Sequence, residues 1–383
     1  MHRNSRTLNH PQRDLRGNPN LHGRSQAQPL PFISPHELSE ALMDWFERLT
    51  GFQETTYEET KRRLSVVDGR LRSDAKQRSY AVGVLELPAL SELRTRAQAI
   101  GRQGRLRLSI VEGDVRALHQ MPDNRGALFQ VASQFNLLEM VGPDVTPEDG
   151  VTGYAHDGTQ GPACAMAAGA ATIYRNYLVP IADEAGQTAD RQLDALADLG
   201  LELARRLGTS MSALWRMQNG YALAKEAGLS AISMHLRVAD AATLDALRGL
   251  LRIGVHWDVE ATDARGPGPL VTQAFCSALP VAYSNIASSA WEPFARLVLE
   301  AAYEATLLAS LLNSARGGTN RVLLTRLGGG AFGNEDAWID DAILRACRLM
   351  IAADLDVSIV SHGPPSKKLR DLLHRLRNLT AVD

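Results

Sequence analysis

This 383-residue chain has few cysteines, few aromatic residues and almost no excess of either charge. It has three widely spaced cysteines, Cys164, Cys276 and Cys347. An odd number of dispersed cysteines builds neither a disulfide framework nor a paired-cysteine zinc site, and it fits a reducing compartment. Lysine and arginine total 41 against 43 for aspartate and glutamate, a net charge of −2. A charge this small does not attract nucleic acid or an anionic membrane, so neither is an expected partner.

Several common functional motifs are also missing. No stretch approaches the roughly 20 consecutive apolar residues that span a bilayer, and no apolar segment of a secretory signal begins the sequence, so we expect a cytoplasmic protein. The histidines lack HxH or HExxH spacing, and we predict no metal site. Neither a GxxxxGK[ST] phosphate loop nor a GxGxxG loop in the first strand–helix unit occurs, which disfavours a nucleotide triphosphatase or an ordinary dehydrogenase. No cofactor is predicted.

The first hundred residues divide into a tail and a small α+β extension. Residues 1–30 are rich in Arg, Asn, His, Gln and Pro and poor in large apolar groups, so they are expected to be disordered. Residues 31–104 form the extension. Its first helix is predicted to start at Ser34, which is followed by proline and, three positions later, by glutamate, and to end near Thr50. The Asp68-Gly69 pair predicts a tight hairpin.

The remainder of the chain predicts an α/β domain. Short apolar runs at 105–111 and 126–133 are typical of central strands. The last hundred residues alternate regularly between helix and strand, with a long apolar helix at 291–313, the strand RVLLTRL, a glycine loop, a helix at 336–352, the strand DVSIVS and a basic helix from about 365. That alternation predicts a sheet with parallel strands and helices on both faces.

The sharpest motif is the glycine loop between a predicted strand and a predicted helix. It comprises Gly328, Gly329, Gly330, Ala331, Phe332, Gly333 and Asn334. Glycines let backbone amides approach an anion closely, and the following helix start adds its positive dipole end, so a phosphate or diphosphate is the expected ligand. The alternative is a tight strand-to-helix turn that binds nothing, although four glycines in six positions exceed what a turn requires.

The strand at 105–111 and the strand at 126–133 carry a second pattern. Gly113-Asp114-Val115 follows the first strand, and the second ends in the sequence VASQFN at 131–136. With the glycine loop and the strand DVSIVS in the same order, residues 105–140 and 295–363 resemble the macrodomain family. The resemblance implies a three-layer, macrodomain-like mixed sheet over residues 105–383, interrupted by a mainly helical insertion at about 150–270.

The resemblance also implies an ADP-ribose site. It places Asp114, with its neighbours Gly113 and Val115, near the adenine amino group, the glycine loop around the diphosphate, and Asn136 near the distal ribose. The chain departs from the family at that last point, because Ser-Gln-Phe-Asn replaces the usual Asn-Ala-Ala-Asn and no glycine-rich distal-ribose loop follows. An aspartate after glycine at a strand end is also a common turn residue, so Asp114 has a structural alternative.

Hydrolysis of an ADP-ribosyl linkage needs an acid or a polarised water at the distal ribose. Glu139, three residues after Asn136, and Asp157 are the best acids by position. Asp157 and Gln160 belong to the polar, glycine-containing segment 153–164, which we expect to close the distal end of the site. The alternatives are that either acid is merely solvated and that the segment is a long surface turn.

Two further groups remain open from sequence alone. Arg175 and Asn176 could reach a phosphate or a carboxylate, or they could end a helix. Cys164 and Cys276 could be nucleophiles, although isolated cysteines are more often small buried side chains. The leading hypothesis is therefore an ADP-ribose-recognising hydrolase of an ADP-ribosyl conjugate or a related NAD-derived metabolite. The alternatives are a non-catalytic ADP-ribose reader and a nucleotide-dependent enzyme with a cysteine nucleophile.

Overall fold

The computed structural model describes residues 43–101, 103–264 and 266–380. Its strands are β1 Leu64–Val67, β2 Arg70–Ser73, β3 Tyr80–Ala81, β4 Val84–Glu86, β5 Arg107–Glu112, β6 Leu128–Ala132, β7 Pro180–Ile181, β8 Glu184–Ala185, β9 Trp215–Gln218, β10 Tyr221–Ala224, β11 Gly254–Glu260, β12 Leu270–Cys276, β13 Arg321–Leu324 and β14 Asp356–Ser361. Its α-helices are α1 Trp45–Thr50, α2 Tyr57–Arg62, α3 Leu90–Ile100, α4 Val115–Gln120, α5 Gln160–Ala167, α6 Gly169–Ile173, α7 Ala197–Leu207, α8 Met211–Leu214, α9 Glu226–Val238, α10 Ala241–Gly249, α11 Ser288–Ala315, α12 Asp336–Leu349 and α13 Lys367–Thr380. Short 3₁₀ turns and a π-helical turn at Tyr174–Leu178 join some of them.

A seven-stranded mixed sheet forms the centre of the molecule, in the order β4-β11-β12-β6-β13-β14-β5. The five strands from β12 to β5 are parallel, and β11 is antiparallel to both β12 and β4. The middle strands are short and buried along nearly their whole length, as parallel strands covered on both faces must be. β6 lies between β12 and β13, although both follow it in the chain.

Helices cover both faces of this sheet. On β6, the Phe129 ring stacks on His119 of α4 with centroids 3.7 Å apart, whereas the side chain of the next residue, Gln130, donates a hydrogen bond to Thr306 of α11. Neighbouring residues of a strand point to opposite faces, so α4 and α11 lie on opposite sides. The 28-residue α11 packs against α3, α9 and α12, and α5 packs against α4. The predicted α/β sheet with helices on both faces is confirmed.

The N-terminal region forms a small sheet of its own and contributes one strand to the central sheet. The Asp68-Gly69 hairpin joins β1 to β2 in a separate three-stranded sheet, β1-β2-β3, with φ of 53° and 68° at its two central residues. β4 pairs with β11 at the edge of the central sheet, so the end of the predicted extension belongs to the main domain. The predicted helix start at Ser34 and the tail at 1–30 lie outside the described residues. A helix does end near Thr50, but it is a short one, Trp45–Thr50, that begins at its own N-cap Asp44 and ends at Gly51 in the left-handed conformation, so no single helix runs from Ser34 to Thr50.

Residues 133–253 separate β6 from β11 and add no strand to the central sheet within the described chain. This segment contains six α-helices and two small hairpins, β7–β8 and β9–β10. The insertion was expected at about 150–270, but β11 and the start of β12 fall inside that range and pair in the central sheet. None of the described helices is long and apolar enough to cross a membrane.

Candidate active site

A pocket lies where the parallel strands β6, β12 and β13 end. Its walls include residues 132–134 after β6, Cys276 and Ala278 at the end of β12, and residues 325–328 after β13. In open α/β sheets, ligands bind outside the carboxyl ends of the strands, at points where the strand order reverses. The chain passes from β12 on one side of β6 to β13 on the other, which makes this edge such a point.

Glu139 lines the pocket, and the residue as a whole is only 2% exposed. One carboxyl oxygen, Oε1, accepts a hydrogen bond from Nη2 of Arg175 at 3.3 Å, and the other, Oε2, has no partner among the described residues. Burial raises the pKa of Glu139 to about 7, although Arg175 acts in the opposite direction. A carboxyl group with a pKa near neutrality is suited to proton transfer.

The loop at 134–140 presents Glu139 in a tightly held conformation. The Gln134 side chain accepts a hydrogen bond from the Met140 amide at 2.8 Å and donates one to the Met140 carbonyl at 3.1 Å. The Glu139 amide donates to the Tyr154 hydroxyl at 3.1 Å. Leu137 has a φ of 65°, a left-handed conformation that is unfavourable for a branched side chain. Strain of this kind persists only where the surroundings enforce it, and it is common near functional sites.

Asn136 stabilises the conformation of this loop. It is fully buried and does not line the pocket. Its Oδ1 accepts a hydrogen bond from the Leu138 amide at 3.1 Å, and its Nδ2 donates to Gln192 at 2.9 Å. The structure therefore commits its side chain to the conformation of the 134–140 loop.

Gln160 and Asp157 both line the pocket, at the start of α5. The Gln160 amide is occupied by β6, because Oε1 accepts from the Ala132 amide at 2.9 Å and Nε2 donates to the Gln130 carbonyl at 2.8 Å. Asp157 is half-buried, and its Oδ1 accepts a hydrogen bond from the Thr159 amide at 2.8 Å. The two side chains that were expected to act on the substrate therefore also stabilise the start of α5.

Close packing brings the start of α5 against β6 and Glu139. A Cβ at Gly161 would lie 2.1 Å from the Ala132 carbonyl oxygen and 3.2 Å from Cγ of Glu139. Only glycine permits that approach. The requirement was not visible in the sequence, where Gly161 was one of several glycines in a polar segment.

The glycine loop forms the opposite wall. Gly328, Gly330, Ala331 and Phe332 line the pocket, whereas Gly329 and Gly333 lie behind them. No hydrogen bond between described residues uses the amides of Gly330, Ala331 or Phe332. Successive free amides in a turn make a concave binding site for anions.

Asn334 closes the glycine loop rather than facing the pocket. It is buried, and its Nδ2 donates a hydrogen bond to the Leu279 carbonyl at 2.8 Å. Its backbone amide donates to the Gly328 carbonyl, also at 2.8 Å. Asn334 therefore ties the loop to the segment that follows β12.

Gly113, Asp114 and Val115 do not line the pocket. Asp114 is the N-cap of α4, and its Oδ1 accepts a hydrogen bond from the Arg116 amide at 2.8 Å. Val115 is the first residue of that helix and is buried. The structure thus uses Asp114 as a helix cap, in line with the alternative considered for it from the sequence.

Three aromatic rings surround one end of the pocket, and sequence reasoning had singled out only one of them. Tyr221, Tyr283 and Phe332 all line it, with ring centroids 5.2 to 5.7 Å apart. The Tyr221 hydroxyl donates to the Met140 carbonyl at 2.7 Å, which ties the aromatic cluster to the Glu139 loop. The two tyrosines were missed because they lie in separate short elements whose sequences carry no functional signal.

The remaining charged and thiol groups limit the chemistry. Arg326 lines the pocket, but its guanidinium pairs with Asp336 at 2.7 Å and with Asp340. Burial raises the pKa of Cys276 to about 11 and that of Cys164 well above its ordinary value, which disfavours a thiolate nucleophile. The described residues contain no group of three or more His, Cys, Asp or Glu side chains that could hold a metal ion.

The chain was compared with known families, curated proteins and solved structures. No family model and no curated protein matches it. Among solved structures it is similar to poly(ADP-ribose) glycohydrolase from Deinococcus radiodurans in complex with ADP-ribose, at 11% identity and a TM-score of 0.42, over 77% of this chain and 95% of that one. It is also similar to poly(ADP-ribose) glycohydrolase from Thermomonospora curvata, at 13% identity and a TM-score of 0.43, over 83% of this chain and 95% of that one.

Proposed function

We propose that this chain is a divergent, macrodomain-like hydrolase that recognises ADP-ribose and cleaves an ADP-ribosyl conjugate or a related NAD-derived metabolite. The observation that carries the proposal is the position of Glu139. Its buried carboxyl group, with a pKa of about 7, lines the same pocket as the glycine loop with its free amides. An ionisable group and an anion-binding turn facing one cavity are the parts that such a hydrolase requires.

The ligand class follows from the chemistry of the pocket walls. Arg326, the cationic residue among the described lining, is already paired with Asp336 and Asp340. A diphosphate would therefore be held mainly by the amides of Gly330, Ala331 and Phe332, as backbone nests hold phosphates. The Tyr221, Tyr283 and Phe332 rings offer apolar faces for a sugar or a base. The segments that resemble the macrodomain family favour ADP-ribose among diphosphates of this kind.

Glu139 is assigned the role of general acid. Near pH 7 a large fraction of its carboxyl group is protonated, and that proton can be donated to the oxygen or nitrogen that leaves the distal ribose. The unpartnered Oε2 is the atom available for this step. The bond between the ribose carbon and the leaving group breaks, and a water oriented by Asp157, which lines the same pocket, bonds to that carbon. The water gives its proton to the Glu139 carboxylate, which restores the acid.

Replacing Glu139 by glutamine tests the proposal. Glutamine keeps the shape of the side chain and cannot donate a carboxylic proton, so hydrolysis of an ADP-ribosylated peptide should fall by about 10²-fold or more. Affinity for free ADP-ribose, measured by calorimetry, should change less than threefold. The control is Glu184→Gln, a substitution of an exposed glutamate in the β7–β8 hairpin that pairs with Arg191.

The outcomes separate the competing functions. Binding of ADP-ribose by the wild-type chain without release of ADP-ribose from any conjugate would identify a reader and contradict the hydrolase. Turnover that survives Glu139→Gln but is lost after thiol alkylation would favour the cysteine enzyme. Absence of binding to ADP-ribose, NAD, AMP and nucleoside diphosphates in a thermal-shift panel would rule out the proposed ligand class.

A further inference from the structure

Arg175 occupies an unusual place behind the pocket. It lies in the π-helical turn Tyr174–Leu178, is fully buried and does not line the pocket. π-helical turns are rare, and they occur frequently at functional sites because they change the direction of one side chain within a helix. A buried guanidinium also loses its hydration, which must be replaced by other contacts. Ending a helix does not by itself explain why a charged side chain is buried at this position.

The contacts of Arg175 converge on the loop at 134–140. Its Nε donates to the Leu137 carbonyl at 3.0 Å, and its Nη2 donates to Oε1 of Glu139 at 3.3 Å. The same Nη2 donates to Oγ1 of Thr172 at 3.1 Å, and the guanidinium carbon lies 3.9 Å from the centroid of the Phe275 ring. One planar group thus holds both the strained backbone at Leu137 and the carboxyl group two residues later. The planar fork of arginine can do both, which a lysine ammonium cannot.

We propose that Arg175 is a positioning residue that holds the Glu139 carboxyl group and the Leu137 backbone in the geometry needed at the pocket wall. The inference rests on the function proposed above for Glu139. Direct binding of substrate by Arg175 is disfavoured, because Arg175, unlike Glu139, does not line the pocket, and two of its three nitrogens already donate to protein oxygens.

The charge of Arg175 has a second consequence for Glu139. The titratable groups that face Glu139 in the described structure are Arg175 from the π-helical turn, Tyr154 from the adjacent 3₁₀ turn and Cys164 from α5. Arg175 is the cation among them, and it lowers the pKa of Glu139 against the stronger raising effect of burial. Removal of the positive charge should therefore raise the pKa of Glu139 further and leave a larger fraction of it protonated at a given pH.

The test compares Arg175→Met, which removes the charge and keeps an apolar side chain of moderate length, with Arg175→Lys, which keeps the charge and loses the fork. The side-chain carboxyl of Glu139 is titrated by ¹³C NMR, with its signal assigned from Glu139→Gln. Arg175→Met should move the titration midpoint upward by at least one pH unit. Arg175→Lys should leave the midpoint within about half a unit and lower kcat by about tenfold with little change in KM, because orientation is lost while charge remains. Arg205→Met, at an exposed arginine of α7, is the control.

An unchanged midpoint in Arg175→Met, or full kcat in Arg175→Lys, would overturn the inference. If Arg175→Met does not fold, the kcat and titration of Arg175→Lys decide the question. The NMR titration does not require turnover, so its result is independent of the proposed function. If the wild-type chain hydrolyses no ADP-ribosyl substrate but Arg175→Met still shifts the midpoint of Glu139, the hydrolase is contradicted and the charge coupling between the two residues is retained.

Discussion

At the scale of single residues, burial sets the protonation of the Glu139 carboxyl group at the pocket wall. Glu139 lines the pocket and is 2% exposed. Loss of hydration disfavours the charged form of a carboxyl group, which raises the pKa of Glu139 to about 7. The hydrogen bonds of the 134–140 loop hold the Glu139 carboxyl group in this buried position, which loss of hydration makes unfavourable.

The pH dependence of turnover should report Glu139 directly. As a general acid it must be protonated, so kcat/KM should be level at low pH and fall about tenfold per pH unit above pH 7. The sign follows from the raised pKa, because the protonated form predominates below that value and is lost above it. The measurement is kcat/KM between pH 5 and 9 on an ADP-ribosylated peptide. An activity that instead rises through pH 7 would identify Glu139 as a base rather than an acid.

At the scale of elements, loops that follow parallel strands bring the working groups together. In the glycine loop after β13, Gly328 and Gly330 have different roles. A Cβ at Gly328, whose φ is 71°, would lie 2.5 Å from Cβ of Ala278, whereas a Cβ at Gly330 would have no atom within 4 Å. Gly328 is therefore required by the fold, and Gly330 leaves open space on the pocket side.

Substitutions at these two glycines should separate folding from binding. Gly330→Val should lower affinity for ADP-ribose by about tenfold or more, because a branched side chain keeps the ligand away from the amides, and should leave the melting temperature within about 2 °C. Gly328→Ala should lower the melting temperature by several degrees, since alanine is strained at positive φ and meets Ala278. Calorimetric titration and thermal denaturation measure the two effects. Equal affinity in Gly330→Val and the wild type would show that the loop binds no phosphate.

At the scale of the whole molecule, a buried ion-pair network joins the helical layer to the sheet-covering helix α11. Glu304 on α11 is 4% exposed, and its carboxylate pairs with Arg94 of α3 and Arg345 of α12, each at 2.6 Å. Arg94 also pairs with Asp245 of α10 at 2.9 Å. The Glu304 carboxylate thus links three helices, α3, α11 and α12, and the pair between Arg94 and Asp245 adds α10.

Loss of that carboxylate should destabilise the fold without a direct effect on the site. Glu304→Ala leaves two arginines without their shared partner, and breaking a buried pair in this way costs about 3 to 5 kcal/mol. Because both arginines are about one quarter exposed, we expect a loss at or just below the lower end of that range, roughly 2 to 3 kcal/mol. Urea denaturation gives the free energy of unfolding, and the control is Glu202→Ala on α7, which removes a carboxylate that pairs with Arg205 and Arg206 outside this network. A loss no larger than that of the control would mean that the network contributes little.

Much of the architecture was predictable because its signals are local. The runs RVLLTRL and DVSIVS are apolar and short, glycines and prolines punctuate them, and the helices between them have clear amphipathic spacing, so β13, α12 and β14 follow from neighbouring residues alone. The boundary of the insertion did not follow in the same way. Pairing of β11 with β4, whose residues lie about 170 positions earlier, is a long-range contact that no local pattern encodes.

What the sequence determined by itself is the order of strands and helices and the presence of a glycine loop suited to a phosphate, because backbone preference and apolar spacing act over a few residues. Only the tertiary structure decided the roles within the site. Asp114 became a helix cap, Asn136 and Gln160 became supports, and Glu139 became a buried acid paired with Arg175. Burial and charge proximity set these roles, and both depend on residues that are distant in sequence and meet only when the chain is folded.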